Sequence, residues 1–307
     1  MALSASQIEQ FESDGYLVVE QYYTPEEVDK LKKEMAWILE GSMDQLCSMS
    51  GVFNAEVEDG KQNSDKYFLE SGDKVRFFYE DVKEPPPRSF TGRRLSREKA
   101  PLNKVGHALH WHSTAFKRAS LQHEKTKELL RSLGFVRPCI CQSMYIFKRA
   151  KVGGAVRPHT DGTFLMTTGN LLGLWTPLEN ATIENGCLWF EPGSHRTREI
   201  TSFFERTTDE SSGETVMKLR HTQPPPSEEE LNLVPVEMKA GDLVLIHKAV
   251  LHKSERNASD KPRDAFTFHV TETYNTQWSK LNWLQNQASP GSFSMLYDDS
   301  KLHKETK

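Results

Sequence analysis

The sequence is short of several things, and each shortage narrows the reading. Its 307 residues hold only four cysteines, Cys47, Cys139, Cys141 and Cys187, and no two form C-x-x-C. A zinc ribbon and a thioredoxin-type centre are therefore excluded, and the thiols are expected to be reduced and packed. Cys139 and Cys141 alternate within an apolar stretch and should share one face of a strand. No apolar run approaches the roughly 18 residues that span a bilayer. The N-terminal stretch MALSASQIEQFESDGY carries polar and acidic residues where a signal peptide has its apolar segment, and the chain ends in Glu305-Thr306-Lys307 rather than Ser-Lys-Leu. A cytoplasmic protein without membrane insertion is the expectation. Charge of one sign is also scarce: the net charge is -4 and the pI about 6.3, a balance that points to neither nucleic acid nor an anionic surface. No heptad, interface stripe or internal repeat is evident, so we expect a monomer acting on a small molecule.

What is present is a chain long enough for one large domain, with 36% hydrophobic and 27% charged residues. Ser4-x-x-Gln7 reads as a capping box leading into Ile8 and Phe11, and Gly15 ends that helix before the strand Tyr16-Leu17-Val18-Val19. Thr24-Pro25-Glu26-Glu27 opens a second helix, whose Val28, Leu31, Met35 and Ile38 recur at spacings of three and four. Residues 41 to 65 are polar and poorly patterned. A strand is expected from Lys74 to Tyr79. An exposed loop follows over 83–101, with Pro85-Pro86-Pro87 ahead of Arg88, Arg93, Arg94, Arg97 and Lys99, and a helix over Lys125 to Leu133. From residue 138 the texture changes to short apolar runs between turns: Ile140 to Phe147, Gly169 to Pro177, Cys187 to Phe190, Leu243 to His247 and Ala265 to Val270. Such punctuation predicts a sandwich or barrel. The stretch from Thr197 to Pro235, with Asp209-Glu210-Ser211-Ser212-Gly213 and Pro224-Pro225-Pro226, reads as a long irregular, lid-like insertion. The expected organisation is a single domain over 1–307. Helical support occupies about 1–135, a β core about 136–275, and the insertion about 197–235.

The chemistry concentrates in Arg157-Pro158-His159-Thr160-Asp161-Gly162. Residues two apart in an extended segment point to one side, so His159 and Asp161 present an imidazole nitrogen and a carboxylate oxygen to one point. Two histidines and one carboxylate on one octahedral face leave three positions open, the donor set of non-haem iron(II) oxygenases. The third ligand should come from a distant strand, and the candidates are His195, His221, His247, His252 and His269. His252 fits best. It follows the apolar strand Leu243 to Ile246 and precedes Arg263 by eleven residues, and Arg263 offers a planar fork for the distal carboxylate of 2-oxoglutarate. His247, an odd number of residues away, is the main competitor. His195, in Gly193-Ser194-His195, reads as a loop-bonding histidine and His269 as a buried strand residue. His107, His110 and His112 resemble a cluster but have no carboxylate beside them, and read as a pocket wall or a solvated face.

These residues, with further stretches in order along nearly the whole chain, resemble the phytanoyl-CoA dioxygenase family. The stretches include Phe11-x-x-Asp14-Gly15-Tyr16, Ser71-Gly72-Asp73-Lys74-Val75-Arg76, Asn103-Lys104-Val105-Gly106-His107, Gln142-Ser143-Met144-Tyr145-Ile146-Phe147-Lys148, Asn185-Gly186-Cys187-Leu188-Trp189-Phe190, Pro192-Gly193-Ser194-His195, His252-Lys253-Ser254 and Tyr274-x-x-x-Trp278-Ser279. The resemblance implies a mainly β fold, a double-stranded β-helix (jelly roll, cupin-like) flanked by helices. It implies an Fe(II)/2-oxoglutarate-dependent dioxygenase that uses dioxygen, with ascorbate as the expected reductant, iron at His159, Asp161 and His252, and release of succinate and carbon dioxide. It further implies 2-oxoglutarate contacts from Lys104, Met144, Thr160, Trp175 and Arg263. Without it, Met144 and Trp175 read as core and Lys104 as a surface charge. The segments 83–101 and 197–235 do not align with the family pattern, and the peroxisomal presequence of phytanoyl-CoA hydroxylase is not visible. The primary substrate is left open between a small molecule and a lipid-like one such as an acyl-CoA. Two alternatives stand beside this reading: a non-catalytic module that binds 2-oxoglutarate or metal, and a zinc hydrolase, which accepts the same donors but leaves Arg263 and Lys104 without a role. An iron halogenase would lack the carboxylate that Asp161 supplies.

Overall fold

The computed structural model describes residues 2–42, 66–80, 102–287, 289 and 291–302, and the backbone of Val52–Phe53. Cys47 and the basic run Arg88 to Lys99 lie outside these residues. Helix α1 (Ala5–Asp14) begins with the expected capping box: Ser4 accepts from the Gln7 amide while the Gln7 side chain accepts from Ser4. Gly15 closes it in the left-handed region at φ 79°. Strand β1 (Tyr16–Val19) follows, then α2 (Pro25–Gly41) behind a Thr24/Glu27 capping box, burying Val28, Leu31, Met35 and Leu39. Ile38 is only half-buried at the margin of that stripe. Each such cap is worth about 1 kcal/mol.

The remaining elements are, in chain order, β2 (Val52–Phe53), α3 (Lys66–Leu69), β3 (Val75–Glu80), β4 (Leu102–His107), α4 (Leu109–His112), α5 (Thr114–Ala119), α6 (Glu124–Ser132), β5 (Pro138–Lys148), β6 (Val156–His159), β7 (Leu171–Pro177), β8 (Leu188–Phe190), α7 (Ser194–Thr197), β9 (Ser202–Thr208), β10 (Thr215–His221), β11 (Val234–Val236), β12 (Leu243–His247), β13 (His252–Ser254), β14 (Arg263–Glu272) and β15 (Ser294–Met295). Among the described residues the strands form a large nine-stranded sheet ordered β1-β12-β7-β14-β5-β4-β3-β2, with β15 also on β5, and a small sheet ordered β11-β8-β13-β6. A separate two-stranded ribbon pairs β9 with β10.

The two faces of the large sheet have different occupants because successive side chains alternate. Leu172 and Leu174 of β7, Leu243 and Leu245 of β12, and Phe266 and Phe268 of β14 face outward into a core shared with α1, α2, α5 and α6. Trp175, Val244, Ile246 and Ala265 face inward and meet Leu188 and Phe190 of the small sheet. The result is the expected jelly roll with helices over one face. A third cluster, with Phe68, Phe78, Leu165, Phe204, Met217 and Trp283, fills the space under the ribbon.

The segment 197–235 is not the irregular insertion that its polar composition suggests. Phe204 and Met217 are buried between less buried neighbours and cover one face of the β9–β10 hairpin. The acidic and serine-rich stretch is its turn. Asp209 Oδ1 accepts from the Ser211 and Ser212 amides, and Gly213 takes φ 70°. The cysteines are as expected: Cys139, Cys141 and Cys187 are buried free thiols.

Candidate active site

The small sheet brings the distant histidine to the proximal pair. His159 ends β6 and His252 begins β13, and the two are direct antiparallel partners. Their rings lie 4.2 Å apart between centroids. The chain turns into a single 3-10 turn immediately after His159, and this places Asp161 beside them, with Asp161 Oδ1 3.8 Å from His252 Nε2. One donor atom from each of His159, Asp161 and His252 falls within 4.8 Å of the others, a group that could hold a metal ion. His247, the competing candidate, points elsewhere: its ring lies 4.9 Å from that of His195 and 6.3 Å from that of Phe11. His247 ends β12 of the large sheet and His252 begins β13 of the small one, so the turn between the sheets, not the odd spacing along one strand, separates the two rings. His195, in α7, bonds the Glu12 carbonyl near the end of α1 at 3.1 Å, so its partner is a helix end rather than a loop. His107, His110 and His112 do not converge. They bond Ser71 Oγ, Ser143 Oγ and the Asp73 carbonyl respectively, and His107 lines the cavity wall. His221 caps the ribbon on Ser202 at 2.8 Å.

The residues fit a metal on three local grounds. His159 Nδ1 donates to the Arg157 carbonyl at 2.8 Å and His252 Nδ1 to the Val250 carbonyl at 3.1 Å. Each bond fixes the tautomer and leaves Nε2 as a lone-pair donor, which is how metal-binding imidazoles are held. Burial, then the neighbouring His252, pushes the His159 imidazole down to about 4, so it is neutral at physiological pH. Asp161 Oδ2 is buried and faces His269 Nε2 at 3.3 Å, which leaves Oδ1, on the side of His252, for a metal. Burial pushes the Asp161 carboxyl up, but His269, His252 and His159 together outweigh it and hold the group well below the usual carboxylate range. A buried, ionised carboxylate beside two imidazoles whose Nδ1 atoms are already committed to carbonyls is a divalent-cation donor set.

His159 and Asp161 open onto a cavity of about 800 Å³. Lys104 of β4, Met144 of β5, and His159, Thr160 and Asp161 all line it. Lys104 lies 5.5 Å and 5.4 Å over the rings of Phe68 and Phe78, and burial lowers its ammonium to about 7. Trp175 and Arg263 lie behind that wall. Arg263 stacks on Trp175 at 5.1 Å, donates from Nη2 to the Gly186 carbonyl at 2.9 Å, and has no acceptor for Nε. Burial lowers its guanidinium to about 10.

Three neighbours went unassigned in the sequence. Lys148 is the register partner of Arg263, lines the cavity, and donates to Ser254 Oγ at 2.8 Å and to the Glu255 carbonyl. Burial, then the adjacent Arg263, holds its ammonium well below the ordinary lysine range. His269 puts Nε2 3.3 Å from Asp161 Oδ2, and Gln142 bonds the other nitrogen of that ring. Two-residue periodicity could have flagged Lys148, because Gln142, Met144, Ile146 and Lys148 share the cavity face of β5. No local signal marks His269 as a neighbour of Asp161, since the two meet across the barrel.

Residues 11–265 match the family model for phytanoyl-CoA dioxygenase (PhyH). The chain is 39% identical over 293 residues to the Caenorhabditis elegans homolog of phytanoyl-CoA dioxygenase domain-containing protein 1, covering 95% of this chain and 98% of that one. It is 41% identical over 288 residues to the Mus musculus protein of that name, covering 92% and 95%. The Arabidopsis thaliana phytanoyl-CoA dioxygenase is 37% identical over 292 residues, covering 94% and 96%. Among solved structures the fold is similar to that of the epimerase SnoN in complex with Fe3+, alpha ketoglutarate and nogalamycin RO (TM-score 0.60, 16% identity, 95% and 98% of the chains). It is also similar to EctD from S. alaskensis with 2-oxoglutarate and 5-hydroxyectoine (TM-score 0.55, 19% identity, 89% and 77%). The chain belongs to the phytanoyl-CoA dioxygenase family, and with it to the iron(II)- and 2-oxoglutarate-dependent dioxygenases.

Proposed function

We propose that His159, Asp161 and His252 hold iron(II), that the adjoining cavity takes 2-oxoglutarate, and that the enzyme hydroxylates a small or lipid-like substrate. The observation that carries this reading is the convergence of the three donors, with both histidine Nδ1 atoms already committed to carbonyls. Iron bound there would supply dioxygen activation, coupling oxidative decarboxylation of 2-oxoglutarate to succinate and carbon dioxide with insertion of one oxygen atom into a substrate C–H bond. The protein supplies ligation, orientation and exclusion of side reactions.

Arg263 and Lys148 would bind the distal carboxylate. Two buried cations whose hydrogen bonds go to neutral acceptors, Gly186, Ser254 and Glu255, repel each other until an anion joins them. A carboxylate there would also give Arg263 Nε its missing acceptor. Trp175 keeps the guanidinium plane fixed by stacking. Lys104 sits on β4, the strand on the other side of β5 from Arg263, where a protonated ammonium would attract the anionic co-substrate as it enters.

Phe164, Leu165, Phe204, Leu219 and Trp283 give the cavity an apolar wall beside the iron-binding residues. That wall supports an apolar reacting segment. The naming of relatives after phytanoyl-CoA makes an acyl-CoA thioester the first chemical form to try. The β9–β10 hairpin lines the same side and is read as the lid. Incubation with acyl-CoAs and free lipids, scored by stimulation of succinate release, tests the substrate class. Stimulation by polar metabolites alone would contradict a lipid-like substrate.

A further inference from the structure

Every donor of the proposed centre must be aimed, and Asp161 is aimed by neither of its chain neighbours. Its second oxygen, Oδ2, faces His269 Nε2 at 3.3 Å. His269 lies on β14 on the same inward face as Arg263, and its Nδ1 lies 3.1 Å from Gln142 Nε2. An amide nitrogen only donates, so His269 Nδ1 accepts and the proton of the neutral ring resides on Nε2, toward Asp161. The opposite amide orientation would move the proton to Nδ1 and set an imidazole lone pair against a buried carboxylate. The space is shaped for this contact as well. A Cβ at residue 173 would come within 2.8 Å of Asp161 Oδ2 and 3.6 Å of His269 Nε2, and the chain has Gly173 there.

We propose that His269, held by Gln142, is a positioning residue that occupies Asp161 Oδ2, so that the carboxylate ligates the metal through Oδ1 alone. A bidentate carboxylate would consume one of the three positions that 2-oxoglutarate and dioxygen need. The relay Gln142–His269–Asp161 therefore keeps the third position open. This inference rests on the iron-binding reading above, and the experiment separates the two.

The test is anaerobic titration of the full chain with Mn(II), read by the electron paramagnetic resonance signal of the free ion, for wild type, Asp161→Ala, His269→Phe, His269→Gln and Gln142→Leu. Thermal melting of each metal-free protein monitors folding. We expect His269→Phe to bind Mn(II) about tenfold more weakly or worse, in the range seen when outer partners of metal ligands are removed. Gln142→Leu should lose less, and His269→Gln, which keeps an N–H donor, should recover part of the loss. Folded His269→Phe that binds within twofold of wild type overturns the proposal, as does a loss as complete as that of Asp161→Ala, which would make His269 a ligand. If His269→Phe does not fold, Gln142→Leu decides: weaker binding supports the relay and unchanged binding overturns it. Wild-type binding by Asp161→Ala would instead overturn the metal-site reading itself.

Discussion

Gly173→Ala is the most discriminating single-methyl change that the structure offers. Gly173 lies in the middle of β7 with no left-handed backbone angle, so alanine is conformationally allowed. Replacing a strand glycine would normally stabilise by roughly 0.5–1 kcal/mol. Here the new Cβ meets Asp161 Oδ2 at 2.8 Å and Ile246 Cβ at 3.3 Å. Overpacking of that kind costs about 1–3 kcal/mol. The two terms oppose each other in global stability, and the metal-free melting temperature should shift by only a few degrees. Relief comes most easily by turning the carboxylate, and that moves a metal donor. Metal affinity therefore changes in one direction only, by about tenfold for about 1.4 kcal/mol of misplacement. Mn(II) titration beside melting curves separates the two effects. Wild-type affinity in a folded Gly173→Ala protein would refute the account of how Asp161 is seated.

Three further outcomes are expected. Arg263→Gln and Lys148→Met should each raise the Michaelis constant for 2-oxoglutarate by about ten- to a hundredfold, from the 1.5–3 kcal/mol of a charge-assisted hydrogen bond, with less effect on the turnover number. An unchanged constant in either variant removes that residue from the co-substrate site. Burial lowers the Lys104 ammonium to about 7, so it is charged below that pH and neutral above it. 2-Oxoglutarate binding should weaken as pH rises from 6.5 to 8.5. One pH unit above the midpoint the protonation cost is about 1.4 kcal/mol, or tenfold, and calorimetry in buffers of different ionisation enthalpy should show proton uptake. Lys104→Met should flatten that profile, and a profile that stays steep would assign it elsewhere. Because this depressed lysine binds fewer protons folded than unfolded between pH 7 and 10.5, it also penalises stability below pH 7 and releases that penalty as pH rises through the window. Phe204→Ala, which empties the base of the β9–β10 hairpin, should cost about 3–5 kcal/mol and lower the melting temperature. A melting curve that does not move would mean that the hairpin packs independently of the core.

The convergence of His159, Asp161 and His252 is legible because its geometry is local in two steps. His-x-Asp needs only an extended residue between its members, and His252 follows a strand whose length and apolarity the sequence displays. Helix caps were legible for a similar reason, since Ser4/Gln7 and Thr24/Glu27 close within one turn. The β9–β10 hairpin is hidden in the sequence because its serine-rich turn and the charged residues of its strands mask the pattern that buries Phe204 and Met217. Lys104, Met144 and Trp175 carry no pattern of their own. Only likeness to the family singled them out, and Lys104 looked like a surface charge although it is 7% exposed. His269 was read as buried, which it is, but its contact with Asp161 depends on how β14 faces the turn after β6, a property of the closed barrel.

The most direct test of the central claim is succinate formation from 2-oxoglutarate by the purified protein with iron(II), ascorbate and oxygen, with the His159→Ala, Asp161→Ala double variant as control. The account predicts slow succinate release from the wild type without added substrate and none from the double variant. Equal release from both proteins would contradict the assignment of His159 and Asp161. An iron-loaded wild type that releases none, even with a metabolite extract added, would contradict catalysis and leave a binding module.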